Sequence, residues 1–475
     1  MSEPSLENLL RDARVDLVLS RIEKDPSVIN QVINYMDSSI RSIKFNSIHV
    51  LGQVGAKSEI AVPKLINLLE DDDWSICREA VRSLGNIGQA AKNAIPNLSK
   101  MLSNKEMSIR KEAAISLGKI GEATNEAISS LIKAFKDESD EVRTEIATSF
   151  GNFGPSAKDA LPELIKGLKD LSWAVRTASA NSISKIGIGS TIAIPQLIKS
   201  LEDKDWRVQY RVINTLANIG QDSVPSLIEV LTHKNKNVRI GAIDALSEMK
   251  VANPEVINTL SNLLKDGIEA VRGKAADALR NIGKDSLPAL IKALEAANKD
   301  MQVLIISAIG GIGKDATEVI PNIIAFLNHP DQDNELPQAF FARIGKALST
   351  FFNDPLSKKS KIRVEAARTL GKIGPESEKG IHALERALKD PKKNVRREAA
   401  LALGKFGSPS KIVIPSLINA LNDKSPDVRW RISEALGRIG ENTTEVVSIL
   451  NELVHDKCDY VCESAINALD ELSGE

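Results

Sequence analysis

Cysteine is scarce in this chain. Three Cys in 475 residues exclude a disulfide framework and fit a reducing compartment. Aromatic residues make up only 4%, which leaves little material for stacking nucleobases. An excess of one charge is also missing, because 62 Lys and Arg stand against 63 Asp and Glu, for a formal net charge of −1. A chain so balanced has no global field for nucleic acid or an anionic membrane, and a polyanion would have to be met by a local patch. Long apolar runs are absent. The most apolar stretch, Val303 to Gly313, is far shorter than the roughly 20 residues that span a bilayer, and the opening MSEPSLENLLRD is too acidic and polar for a signal peptide. The expectation is a soluble, cytoplasmic protein with no membrane partner.

What the sequence has in abundance is repetition, which overrides the two to four ordinary domains its length would predict. The string LGxIG or a near copy begins at Leu51, Leu84, Leu117, Phe150, Ile183 and Leu216, always 33 residues apart. It continues at Leu246, Leu279, Ile309, Phe341, Leu370, Leu403, Leu436 and Leu469, giving fourteen copies. Two shorter steps lose three residues between the closing Gly and the next Pro, as in Gly220 to Pro225 against Gly88 to Pro96, which places a loop there. Within a unit the apolar period is helical. Val62, Leu65, Ile66, Leu68 and Leu69 mark one amphipathic helix, and Ile76, Ala80, Val81, Leu84 and Ile87 a second. Pro63, Pro96, Pro162 and Pro195 fit the first turn of the first helix. Gly four residues after the anchor, in twelve of fourteen units, stops the second. The anchor's own Gly, as at Gly85 or Gly118, removes a side chain where neighbouring units would collide.

These residues carry a resemblance to HEAT-repeat proteins of the short-repeat kind named after the phycobilisome lyases. The pattern is matched by Asp390, Val395, Arg396, Glu398, Ala399, Ala400, Leu403, Gly404, Phe406 and Gly407, and it extends from about Ile29 to Leu472. The resemblance implies an all-α, right-handed α-solenoid of about 13–14 helical hairpins. The expected organisation is a capping helix over residues 1–24, regular HEAT-like repeats over 25–326, and an irregular loop with a longer helix bearing Phe340, Phe341, Phe351 and Phe352 over 327–361. C-terminal repeats with an acidic cap follow over 362–475. As a guide to function the resemblance is broad, since one scaffold serves unrelated tasks.

Three constellations are candidates for function. Eight Arg lie seven residues before their anchors (Arg110, Arg143, Arg176, Arg239, Arg272, Arg363, Arg396, Arg429), and eight Asp lie thirteen before. Their co-occurrence points to pairing within the fold rather than a stripe for a polyanion. Trp74, Trp173 and Trp206 all lie ten residues before the anchor, and Trp206 is followed by Arg207, Tyr210 and Arg211. Two readings stand open: a protein-binding hot spot at Trp173, Trp206, Arg207, Tyr210 and Arg211, or aromatic shielding of hairpin ends. From Lys358 to Lys411 fifteen basic residues face six acids. Lys392, Lys393, Arg396, Arg397, Arg429, Trp430 and Arg431 form a basic strip, either for an acidic segment or nucleic-acid backbone or as a solvated face.

Searches for reacting groups return little. Cys458 and Cys462 share a helix face with only His455 nearby, short of a closed zinc site, and Cys462 and Cys77 read as replacements of surface residues in the Arg column. None of the five His precedes a Glu, and there is no GxSxG, HExxH or Walker loop. The expectation is a non-catalytic, monomeric scaffold without metal or cofactor, whose inner face, lined by second helices, binds a protein. Two alternatives remain: bilin attachment or detachment, as the resemblance to phycobilisome lyases implies, and nucleic-acid backbone binding through the 358–431 strip, the less expected of the two.

Overall fold

The computed structural model describes residues 4–328, 358–375 and 378–473. It is helical throughout, with no strand among the described residues. Two compact units divide the chain, Met1–Met249 and Lys250–Glu475. Among the described residues the first holds seven helical hairpins and the second six. A typical hairpin runs Val62–Asn67, a tight turn, then Trp74–Ile87. Pro63 takes the first turn of the short helix, where its missing N–H costs nothing. Gly88 closes the long helix at φ +72°, a backbone region that L side chains rarely adopt. The 3₁₀ lead-in to the next hairpin absorbs the variable step: Gly55–Ala61 and Gly88–Ala94 have seven residues, Gly220–Ser223 and Gly283–Ser286 four.

The second helices pack closely because the anchor glycine accepts the backbone of the next helix. A Cβ added at Gly85 would lie 2.4 Å from Ser116 Oγ and 2.7 Å from its Cα, and the same clash recurs for Gly52 with Ser83, Gly118 with Ser149 and Gly151 with Ser182. Each hydroxyl then donates across the gap to the preceding helix. Ser83 bonds Ile48 O at 2.9 Å, Ser116 bonds Val81 O at 2.9 Å, Ser149 bonds Ala114 O at 2.7 Å, and Ser182 bonds Ala147 O at 2.6 Å. Thr215 continues the series to Ala180 O at 2.9 Å. These hydroxyls are buried. In the second unit Thr369 bonds Ile306 O at 3.0 Å, after which Gly371, Gly404 and Gly437 meet Ala402, Ala435 and Ala468 instead.

Gly310 meets Thr369 as its next neighbour, and Ile320–Leu327 packs on Lys358–Ile373. That hairpin is thus completed by a helix whose anchor is Leu370. The FARIG string at Phe341, with Phe340, Phe351 and Phe352, lies at 329–357, outside the described residues, and the other thirteen sequence copies correspond to the thirteen hairpins among the described residues. Two local differences have backbone causes. The single amphipathic pattern at the N-terminus is two helices, Leu6–Arg11 and Val15–Lys24, broken at Ala13 with φ +54°. Lys250, where most units carry the terminating Gly, adopts φ +51° with a Cβ to accommodate.

Two outcomes follow from this packing. Gly85→Ala should destabilise by about 1–3 kcal/mol through overpacking against Ser116, whereas Ser116→Ala should cost only about 1 kcal/mol; hydrogen exchange of the flanking helices measures both. Lys250→Gly should add about 1 kcal/mol by relieving the left-handed conformation, read as a raised denaturation midpoint.

Candidate protein-docking face

The turn inside each hairpin is built by an Asp. Asp137, Asp170 and Asp423 accept the N–H of Ser139, Ser172 and Ser425 two residues on, which fixes the turn before the second helix starts. The Arg column reads these turns in two directions. Arg143 donates Nε and Nη2 to Asp170 of the next hairpin at 2.8 Å each, and Nη1 to the carbonyl oxygens of Asp137 and Glu138 in its own turn. Arg110 with Asp137, Arg176 with Asp203, Arg396 with Asp423 and Arg429 with Asp456 repeat the bidentate pair. Burial pushes the carboxyls of Asp137, Asp170 and Asp423 up, but the guanidiniums and turn N–H groups more than offset it, and all three stand below the usual range.

Other occupants of the column keep its second function. Gln209 donates to Asp203 O, and Cys462 Sγ to Asp456 O, each six residues back. Cys77 is buried and donates to Leu69 O, with its thiol pushed up to about 11 by burial and by Asp71. The expectation of a surface replacement fails at Cys77, because the column faces the turn rather than solvent.

At the same edge the first residue of the second helix is exposed in several hairpins, among them those of Trp74, Met107, Trp173 and Trp206. Trp173 and Trp206 open Trp173–Ile186 and Trp206–Ile219. The Arg207 guanidinium stands 3.4 Å from the centroid of the Trp173 ring, within cation–π reach. Its edge is held by Asp205 through bonds of 2.9 and 2.6 Å, which with the Arg207 N–H lower the Asp205 pKa to about 2 against the opposing effect of desolvation. Trp206 is 72% exposed and Tyr210 55%. Both border a groove of about 200 Å³ with Leu201, Ile213, Ile240 and Asp244. Arg211 is half-buried and does not line it. The structure thus brings Trp173 and Arg207 together and sets Trp206 and Tyr210 beside an apolar floor.

A sequence profile described as HEAT repeats matches residues 62–150, 128–204, 194–280, 224–300, 356–414 and 410–470. The chain belongs to the HEAT-repeat family. No curated protein matches it in sequence. Among solved structures it is similar to Kap121p bound to Ste12p, with 13% identity, 99% of this chain against 57% of that one, and a TM-score of 0.58. It is also similar to a second structure, described as Kap121p, with 13% identity, 98% against 51%, and a TM-score of 0.52. The chain spans about half the length of Kap121p. At such identity the likeness is one of fold, an all-α solenoid.

The HEAT frame explains why the predicted basic strip comes apart in the second unit. Arg396 and Arg429 belong to the turn ladder and are held by Asp423 and Asp456. Lys393 pairs with Asp427 at 3.1 Å, and Arg431 bonds Glu434 at 2.6 Å while its guanidinium covers Trp430 at 3.8 Å. Lys392 is exposed and Arg397 half-buried. Beside them a cavity of about 260 Å³ is lined by Trp430, Tyr460, Glu434, Glu463 and Glu471, so acids outnumber bases there. Among the described residues no group of three or more His, Cys, Asp or Glu is placed to hold a metal ion, and no helix is long and apolar enough to cross a membrane. The serine column was missed from sequence, although a small residue directly before most anchors was its signal.

Because the ladder carboxyls are depressed in the folded HEAT array, their stabilisation is full above the unfolded carboxylate pKa and is lost as pH falls through the folded values. The denaturation midpoint should be level near neutral pH and drop below about pH 4. Arg143→Met should lower stability by about 3 kcal/mol, since it strands a half-buried Asp170; urea titrations at several pH values check both.

Proposed function

We propose that this HEAT array is a protein-binding scaffold, and that its partner docks on the second-helix face of the first unit at Trp173, Trp206, Arg207, Tyr210 and Arg211. The observation that supports this most is the exposed Trp206 and Tyr210 bordering an apolar groove, next to an Arg207 already fixed by Asp205 and Trp173. Rigid aromatic side chains bury much area at small entropic cost, and a guanidinium already held in place loses little freedom on binding. Kap121p, which shares the fold, is seen bound to Ste12p; holding a protein on such an array is the use proposed here, in a cytoplasmic monomer.

The reading is non-catalytic. The most strongly shifted groups, Asp73, Cys77 and Asp205, are accounted for by burial and by hydrogen bonds at the turns, those of Ser75 and Arg41 in the case of Asp73. We also read the repeat as the short, phycobilisome-lyase kind on Asp390, Val395, Arg396 and the residues through Gly407; no side chain described above favours a bilin-handling role in particular. Pairing of Lys393 with Asp427 and Arg431 with Glu434 speaks against a nucleic-acid backbone at the strip.

The test is low-salt affinity capture from the native source, with mass spectrometry and visible absorbance of the eluate. Wild type should retain a stoichiometric protein that Trp206→Ala with Tyr210→Ala loses, a weakening of at least about 30-fold for two hot-spot residues, while circular dichroism is unchanged. Retention of the partner by the double variant overturns the assigned face, and a coloured eluate turns the reading toward bilin.

A further inference from the structure

Trp173 and Trp206 are two rungs of a longer row. The structurally equivalent position, the first residue of the second helix, is Trp74, Met107, Asp140, Trp173 and Trp206 in five consecutive hairpins. Trp74 is 49% exposed, Met107 40% and Trp173 41%; a guanidinium stands over each indole, Arg78 at 5.1 Å from Trp74 and Arg207 at 3.4 Å from Trp173, and leaves the rest of the ring to solvent. Asp140 is exposed in the middle, with Glu138 beside it in the preceding turn. On either side the position is basic, Arg41 and Lys236, which ends the apolar run.

The row is tied at every step. Gly–Ser contacts link the first three (Gly85–Ser116, Gly118–Ser149, Gly151–Ser182), and bidentate Arg–Asp pairs at the row's own edge link the last three (Arg110–Asp137, Arg143–Asp170, Arg176–Asp203). Steps of about 8–10 Å between packed helices put the outer rungs about 32–40 Å apart. From Trp74 to Trp173 the apolar strip is one residue wide, since its helix neighbours include Arg78, Lys111, Glu141 and Thr177, and it widens only at Trp206, where Tyr210 stands beside it. An amphipathic helix, with an apolar face at least about 100° wide, would lay apolar surface on those charges. A β-strand puts every third residue on alternating faces. A polyproline-II helix matches: three residues per turn at about 3.1 Å each repeat one edge every 9 Å or so, and about thirteen residues cover the row.

We propose, resting on the docking reading above, that the partner segment is a polyproline-II stretch. It presents proline or another apolar residue at every third position to Trp74, Met107, Trp173 and Trp206, and one basic residue between them to Asp140. The pattern is the same in both chain directions. Prolines lie flat on indole faces, and a chain already extended loses little entropy on docking.

The test uses the full chain and synthetic peptides of about thirteen residues, followed by fluorescence anisotropy. One has proline at every third position with lysine in the central one; a second has the same composition with prolines four apart; a third is an amphipathic helix with apolar residues seven apart. The triplet peptide should bind at least about tenfold tighter than either control. Trp74→Ala should weaken it about tenfold, and Asp140→Lys should weaken the lysine peptide while strengthening a glutamate version. Equal binding of the proline spacings, preference for the helix, or indifference to Trp74→Ala overturns the proposal. If no peptide binds but Trp206→Ala with Tyr210→Ala still loses the captured partner, the triplet register is wrong and the docking face stands.

Discussion

The close approach of successive second helices, anchor glycine against serine, sets the geometry on which the rest depends. A glycine lets a neighbour's Cα come where a methyl would stand, and the serine hydroxyl, otherwise stranded in a dry interface, finds the carbonyl of Ile48, Val81, Ala114 or Ala147. That carbonyl already serves the helix, so the bond is added without breaking the ladder. Apolar burial alone would hold the helices together but leave their sliding free. The directional bond fixes the register and makes each step like the last.

The Arg–Asp ladder does at the turns what the hydroxyls do at mid-helix. It links each hairpin to the next while finishing the turn of its own, which ties the array's local and long-range order to one side chain. It is also neutral in itself. Each ladder Arg has its Asp one hairpin away and adds nothing to the net charge, and the partly buried pairs are shielded from the screening that weakens exposed ones.

The hairpins, their turns and their partners along the chain were legible from spacing, because a period of 33 residues imposes one environment on each column. The Asp and Arg columns predicted their own pairing. What spacing hid was orientation. Arg396 and Arg429 share a sequence neighbourhood with Lys393 and Arg397, yet helical rotation turns the first two into the turn and leaves the others on the second-helix face. Cys77 looked replaceable because its column was taken for surface. Phe341 matched the anchor string, but Gly310 meets Thr369, a partner in space that no local pattern could name. Met107 and Asp140 passed unnoticed because a row on a repeat face is recognised by position and not by residue type.

The hairpin begun by Ile320–Leu327 and finished by Lys358–Ile373 has a further consequence. Thirty residues enter between its two helices, and the hydroxyl of Thr369 still reaches the carbonyl of Ile306 as if the turn were short. The contacts that propagate the solenoid run from second helix to second helix and ignore what joins a hairpin at its tip. Array pitch and the length of chain between a hairpin's two helices are therefore separate variables, and the stacking on either side keeps its phase across the longer connection.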